Sequence, residues 1–512
     1  MKVLNNHRCL ISCQIKTMTP TLTITLILLY FLVLLVISWY TARNVGNYGF
    51  FLGNKSSPWY IVAFGMIGTS LSGVTFVSVP GTVQTQAMSY MMVVVGYLFG
   101  YLAIAYYLLP LYYRLQLTSI YTYLQTRFGM TTYKSGSMLF IVARTIGATA
   151  RLYLVIYVLQ AFLLNDAGIP FWATAVFILL LIVAYTFKGG VKTIVWTDTL
   201  QTSFMLGGLV LCVYFILHSL NIDFAVAYQS MKDAGHANWL ITDYKSPAYF
   251  LKHLIGGAFI AITMTGLDQE MMQKNISVKT LSGAQKNVVS LGFILILVNF
   301  LFLFLGGLLY IYAEKVGINI AAKDFKSDNL FPDIALNYFP PVMGFVFIIA
   351  LISALFPSAD GAITALTSSF CIDILGIRRN EQWDERKQLQ LRRIVHIGFA
   401  ILFLIAVLFF HWLDNRSIID LILKLGGYTY GPLLGIFVFG MFTKRILKES
   451  VVPIICVLSP LITWQLAENA PSWFGGYKFG YELIVVNGLI TYAGLYLSSI
   501  NSQKSKKINS PI

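Results

Sequence analysis

The stretch Ile61-Val-Ala-Phe-Gly65-Met-Ile-Gly68-Thr-Ser70-Leu-Ser-Gly73-Val-Thr-Phe76 has the hydropathy of a membrane span, but its composition suits a helix that breaks partway. Gly65, Gly68 and Gly73 are interleaved with Thr69, Ser70, Ser72 and Thr75. Glycine lets a helix unwind, and hydroxyls can satisfy the backbone groups that unwinding exposes. Unwound backbone presents carbonyl oxygens, which are good ligands for a hard cation such as sodium. The same small residues also suit close packing between unbroken helices, so composition alone leaves both uses open.

Outward from this stretch, apolar runs of span length recur thirteen times, at about 21–41, 57–79, 85–109, 135–164, 169–187, 193–218, 249–271, 287–312, 341–373, 393–412, 419–442, 450–466 and 482–499. A crossing helix takes roughly 20 apolar residues. Thirteen crossings put the two termini on opposite sides. Basic residues gather after the odd-numbered spans: Arg43 and Lys55, then Arg114, Arg127 and Lys134, then Lys274, Lys279 and Lys286. The densest group is Arg378, Arg379, Arg386, Lys387, Arg392 and Arg393, and Lys504, Lys506 and Lys507 end the chain. Cytoplasmic loops collect Lys and Arg, so the N-terminus is expected outside and the C-terminus in the cytoplasm, although Lys2, Arg8 and Lys16 pull weakly the other way.

The seventh span repeats the character of the second. It opens with Gly256-Gly257 and closes with Thr263-Met-Thr-Gly266-Leu-Asp268-Gln-Glu270. Interrupted spans at matching positions of two halves mark an inverted-repeat transporter. Spans 2–6 and 7–11, about 57–218 and 249–442, would be the two five-helix halves. Together they form one membrane domain over 21–499, with tails at 1–20 and 500–512.

Composition agrees. Hydrophobic residues make up 57% of the 512-residue chain and charged residues 11%, far below the quarter usual for a soluble domain. The net charge of +15 is explained by the loops rather than by nucleic acid, for which there is no motif. Cys9, Cys13, Cys212, Cys371 and Cys456 have no metal-site spacing, and no cleavable signal peptide precedes the first span. The chain carries no G-x-S-x-G, Walker loop or zinc cluster, so an enzyme is not expected. A solute sensor built on a transporter would need room for a signalling domain, which Asn501–Ile512 does not provide.

Arg144, Arg151, Asp198, Asp268 and Asp360 lie in apolar runs. Ionisable groups at membrane depth mark substrate and ion pathways or buried pairs. Arg144 and Arg151 are seven residues apart, about two turns, on nearly one face. An arginine offers a planar fork to a carboxylate, although either could instead pair with Asp198 or Asp360.

Three stretches carry a family resemblance: Tyr113-Arg-Leu-Gln-Leu-Thr-Ser-Ile-Tyr-Thr-Tyr-Leu-Gln-Thr-Arg-Phe-Gly129, Trp196-Thr-Asp-Thr-Leu-Gln201, and Ile352-Ser-Ala-Leu-Phe-Pro-Ser-Ala-Asp-Gly-Ala362 followed by Cys371-Ile-Asp-Ile374. In their order and spacing they resemble the sodium/solute symporters, the family of sodium-coupled sugar, proline and sialic-acid transporters, over roughly residues 20–450. The resemblance implies an all-α integral membrane protein of LeuT type, with inverted five-helix repeats and about thirteen transmembrane helices.

It also implies sodium as the coupling ion, with no organic cofactor. The sodium site would take carbonyls near Gly68 and Leu71 on the second span, and the Ala354 carbonyl and Ser358 hydroxyl on the ninth. Pro357 stands where many relatives have another hydroxyl, which removes one oxygen ligand. Asp198 matches an acidic position that supports a second sodium in some relatives. With Asp360 it forms the expected second cation or proton site. Sialic-acid carriers hold the substrate carboxylate with an arginine on the helix of Arg144 and Arg151, and Arg151 lies deeper in the span.

The expected substrate contacts are Ser70, Thr75, Arg144, Arg151 and Thr263. The expected activity is sodium-coupled symport of a small organic solute, preferably an anionic sugar acid or carboxylate, by alternating access. Proton coupling is the alternative, and a transporter-like sensor the more distant one. The expected setting is a bacterial inner membrane, with the bilayer and a small solute as partners and the monomer as the working unit.

Overall fold

The structure, a computed structural model, describes residues 20–42, 50–51, 53, 57–318, 327–377, 379, 383–413 and 418–500. Cys9, Cys13, Lys2, Arg8, Lys16, Arg43, Lys55, Arg378 and the basic tail Lys504, Lys506 and Lys507 fall outside them.

Nine helices are long and apolar enough to cross a bilayer. Two bent pairs bring the candidate crossings among the described residues to eleven, and two shorter apolar helices, Phe171–Phe187 and Leu483–Leu497, fall below that length. The chain runs through α1 (Pro20–Thr41), α2 (Trp59–Ser70), α3 (Gly73–Gln86), α4 (Tyr90–Arg114), α5 (Met130–Leu164), α6 (Phe171–Phe187) and α7 (Gly190–Leu220). A short loop helix, α8 (Phe224–Asp233), leads to α9 (Phe250–Gly266) and α10 (Gln269–Ile276), then α11 (Leu281–Val316) and α12 (Pro341–Ile374). The chain ends with α13 (Glu385–Leu413), α14 (Ile418–Phe442), α15 (Val452–Trp473) and α16 (Leu483–Leu497).

The second span is broken where its composition indicated. α2 and α3 meet at 56°. Leu71 (φ −98°, ψ 75°) and Ser72 (φ −67°, ψ 175°) leave the helical region between them. The span then runs on to Gln86, beyond the expected 79. Phe76 helps anchor its second half, with its ring centroid 5.7 Å from that of Phe302 on α11 and 5.8 Å from that of Phe347 on α12.

The seventh span breaks too, with α9 and α10 at 66°. Gly256 and Gly257 sit well before the bend, where a β-carbon on Gly257 would run into the backbone of Val93 on α4. Gly96 and Gly100 of α4 face α9 in the same way, so these glycines bring two backbones together. The bend itself falls at Leu267-Asp268. The span therefore continues to Ile276, five residues past the expected 271, and this difference changes the reading of the site. The turn at Lys188-Gly-Gly is a kink between α6 and α7. Gly190 (φ 54°) adopts there a conformation that favours glycine, packed against Phe50.

Candidate functional site

The two breaks face a common interior, and the second is heavily furnished. Asp268 starts α10 as its N-cap: Oδ1 accepts from the backbone N–H groups of Glu270 (2.9 Å) and Met271 (3.2 Å). Three tyrosine hydroxyls, from α4, the α4–α5 connection and α14, donate to this corner. Tyr112 donates to the Gly266 carbonyl (2.8 Å), Tyr121 to the Leu267 carbonyl (2.9 Å) and Tyr430 to Asp268 Oδ2 (2.7 Å). In a bilayer each carbonyl released by unwinding must find a donor, and these tyrosines supply it.

One turn into α10, Glu270 and Lys274 share a face at the i, i+4 spacing. They join a buried chain of ion pairs. Arg144 on α5 bonds Glu270 and stands 3.8 Å from Asp268. Lys274 Nζ lies 3.4 Å from Glu270 Oε1, 2.8 Å from Asp198 Oδ2 on α7 and 2.7 Å from Thr69 Oγ1 on α2. Thr69 donates in turn to Asp198 (3.1 Å). Asp360 on α12 lies beside this chain, and its Oδ2 accepts from Tyr185 on α6 (2.6 Å). The packing leaves room for these groups by omitting side chains. A β-carbon on Gly65 would stand 3.2 Å from that of Asp198, and one on Gly361 would run into the Glu270 carboxylate.

Next to the chain, between the two breaks, is a cavity. Ser70 and Thr75 line it from the first break, Arg144 and Arg151 from α5, and Met264 and Thr265 from α9. Tyr90, Tyr97 and Tyr101 of α4 and Asn299 of α11 complete its polar wall. The two arginines differ in their ties. Arg144 is held by Glu270 and Asp268, whereas Arg151 has no ion pair with any described residue. Thr263 does not line the cavity. Its hydroxyl bonds back to the Phe259 (2.8 Å) and Ile260 (3.1 Å) carbonyls of its own helix, while Thr265, two residues on, lines the cavity.

The residues expected to hold sodium also converge. A β-carbon on Gly68 would lie 3.5 Å from the Pro357 ring and collide with the Thr202 hydroxyl, and one on Gly73 would come 3.8 Å from the Leu355 backbone. Gly68 and Leu71 of the first break are thus set against the segment of α12 that carries Ala354 and Ser358. No described side chain donates a hydrogen bond to the Gly68 or Leu71 carbonyl. Ser358 donates to Leu355 O (2.9 Å), which leaves its oxygen lone pairs for another partner. Pro357 has no N–H, so it frees the carbonyl of Ser353, next to Ala354.

A family model described as "Sodium:solute symporter family" matches residues 50–450. The chain belongs to the sodium:solute symporter family. Its relatives are transporters rather than enzymes. The sodium/sialic acid symporter SiaT of Proteus mirabilis is 25% identical over 474 residues, 90% of this chain and 92% of that protein. The sodium-coupled monocarboxylate transporter 1 of Mus musculus is 28% identical over 414 residues, 77% of this chain and 64% of that one. Among solved structures, the substrate-bound, outward-open state of a sodium-coupled sialic acid symporter superposes with a TM-score of 0.79 at 19% identity, covering 96% of this chain and 98% of that one. Mhp1, a nucleobase-cation-symport-1 family transporter, gives 0.55 at 11% identity over 89% and 95%. Both share the LeuT-type arrangement of the fold, which this symporter therefore has.

Glu270 and Lys274 are among the site residues that the sequence reading missed, as are Thr265 and Asn299 of the cavity wall. Placing the end of the seventh span at 271 put Lys274 among cytoplasmic loop charges, whereas it is 3% exposed inside the helix packing. The i, i+4 spacing of Glu270 and Lys274 after Asp268 was the available signal.

Proposed function

We propose that this symporter moves a small organic anion together with sodium, with Arg151 receiving the carboxylate. The observation that carries this reading is the contrast between the arginines on one face of α5. Glu270 and Asp268 hold Arg144, while Arg151 lines the cavity with no ionic partner among the described residues. A guanidinium kept charged beside a polar cavity favours a planar anion in bidentate contact. Ser70, Thr75, Thr265 and Asn299 offer neutral hydrogen bonds to the rest of the solute. The sialic acid and monocarboxylate carriers among its relatives transport substrates of this class.

Sodium would bind between the Gly68 and Leu71 carbonyls of the first break and the Ala354 carbonyl and Ser358 hydroxyl of α12. Binding there ties α2 to α12 and favours one orientation of the core, to which the solute adds from the cavity. A second, wider cavity is lined by Thr85, Gln86, Ile241, Lys424, Glu468 and Lys478. A tenfold sodium ratio supplies about 1.4 kcal/mol per ion. A potential of 100 mV adds about 2.3 kcal/mol per net charge moved.

The working unit would be the monomer, with the N-terminus outside and the C-terminus in the cytoplasm of a bacterial inner-membrane protein. The repeats would span about 57–218 and 249–442. Uptake into proteoliposomes under an inward sodium gradient, with N-acetylneuraminate, lactate, proline and glucose as solutes, tests the reading. Uptake of a carboxylate that stops when the gradient is removed supports it. Uptake of glucose alone, or of any solute independently of sodium, contradicts it.

A further inference from the structure

We propose that the Lys274 ammonium permanently fills the second cation position, the one Asp198 would otherwise offer to an ion, so that this chain binds one sodium rather than two. The inference rests on the sodium-symport reading above and specifies its coupling. Three oxygens from three helices close on Lys274 Nζ: Thr69 Oγ1 at 2.7 Å, Asp198 Oδ2 at 2.8 Å and Glu270 Oε1 at 3.4 Å. Two carboxylates and a hydroxyl form a shell suited to a hard cation. Here the cation at its centre is covalently attached to α10.

The surroundings hold the ammonium in place. The Asp268 cap fixes the start of α10, and Glu270 braces Lys274 from one turn earlier. Gly361 leaves open the volume on the α12 side, since a β-carbon there would stand 3.2 Å from Nζ. With 3% exposure, Lys274 has no access to water that would let it leave its carboxylates. A sodium ion placed against Asp198 would share an oxygen shell with this ammonium, and like charges at that range in a low-dielectric interior repel strongly. Asp360 is held elsewhere, by Tyr185 and the Gly361 N–H.

Equilibrium binding of radioactive sodium to the purified full chain in lipid nanodiscs, without solute, tests this. The wild type is expected to bind one sodium with a Hill slope of one. Lys274→Gln, which keeps a polar side chain and removes the charge, is expected to bind two, the second depending on Asp198. The double variant Lys274→Gln/Asp198→Asn should return to one. Two sodium ions on the wild type would overturn the inference and leave sodium symport intact. A count unchanged at one in a folded Lys274→Gln protein would also overturn it. No sodium on the wild type would instead remove the symport reading beneath it. Should Lys274→Gln fail to fold, the wild-type count still decides between one filled position and two open ones.

Discussion

The two broken helices of this symporter bend by similar angles, 56° and 66°, yet are finished in opposite ways. At the α9–α10 corner the protein supplies its own partners. Asp268 caps the new helix, Tyr112 and Tyr121 occupy the freed carbonyls, and Tyr430 bonds the cap. At the α2–α3 corner no described side chain donates to the Gly68 or Leu71 carbonyl, and the residues around them are small. A break in a membrane helix exposes polar backbone that must be satisfied. The tyrosines and Asp268 satisfy one corner permanently. The other faces α12 with oxygens to spare, which is the condition for a site that an ion enters and leaves. The contrast assigns the furnished corner to holding shape and the bare one to exchange.

Asp268→Asn should show the largest effect. It removes the charge that faces Arg144, leaving the arginine with Glu270, and keeps an oxygen that can cap α10. Loss of one partner in a buried charged set costs about 3–5 kcal/mol. A marked fall in melting temperature in detergent is expected, with or without sodium, and an unchanged melting curve would deny the corner its structural role. Tyr430→Phe is milder. It deletes one hydroxyl donor to a carboxylate, worth about 1.5–3 kcal/mol, and should lower the melting temperature while leaving sodium affinity within about twofold. A selective loss of sodium affinity would reverse the assignment of the two corners.

At the bare corner the sign of the comparison changes. Ser358→Ala should weaken sodium binding about tenfold, equivalent to about 1.4 kcal/mol, and barely alter the melting temperature measured without sodium. Equal sodium affinity in this variant would remove Ser358 from the proposed site. The smallest effect is expected for Thr263→Ala. The Thr263 hydroxyl is bonded to its own helix, and solute uptake should stay within about twofold of wild type. Thr265→Val, at a residue lining the cavity, should raise KM more.

The fold was largely legible because hydropathy reports each crossing independently of its neighbours. Each of the thirteen runs falls on an apolar helix, eleven of them long enough to be candidate crossings once each bent pair counts as one, and the glycine- and hydroxyl-rich residues 65–75 contain the first break. The sodium residues came from the family resemblance alone; the structure packs Gly68 and Gly73 against residues 355–357. The ion-pair chain was less legible. A helix carrying Glu270 and Lys274 is too polar to read as membrane-buried, so the seventh span was ended early and a core lysine was counted as a loop charge. Its burial depends on Asp198, 76 residues away in sequence, and on the space left by Gly361, and neither relation is local. Thr263 and Thr265 could not be told apart without knowing how the helix is turned at Gly266.

The most direct test of the account is sodium-driven uptake of N-acetylneuraminate and lactate by Arg151→Ala in proteoliposomes, paired with sodium binding by the same protein. The account predicts that carboxylate uptake falls at least about a hundredfold, the order expected when a buried charged partner is lost, while sodium affinity stays within about threefold. Uptake at the wild-type rate would contradict it and would move the substrate away from α5.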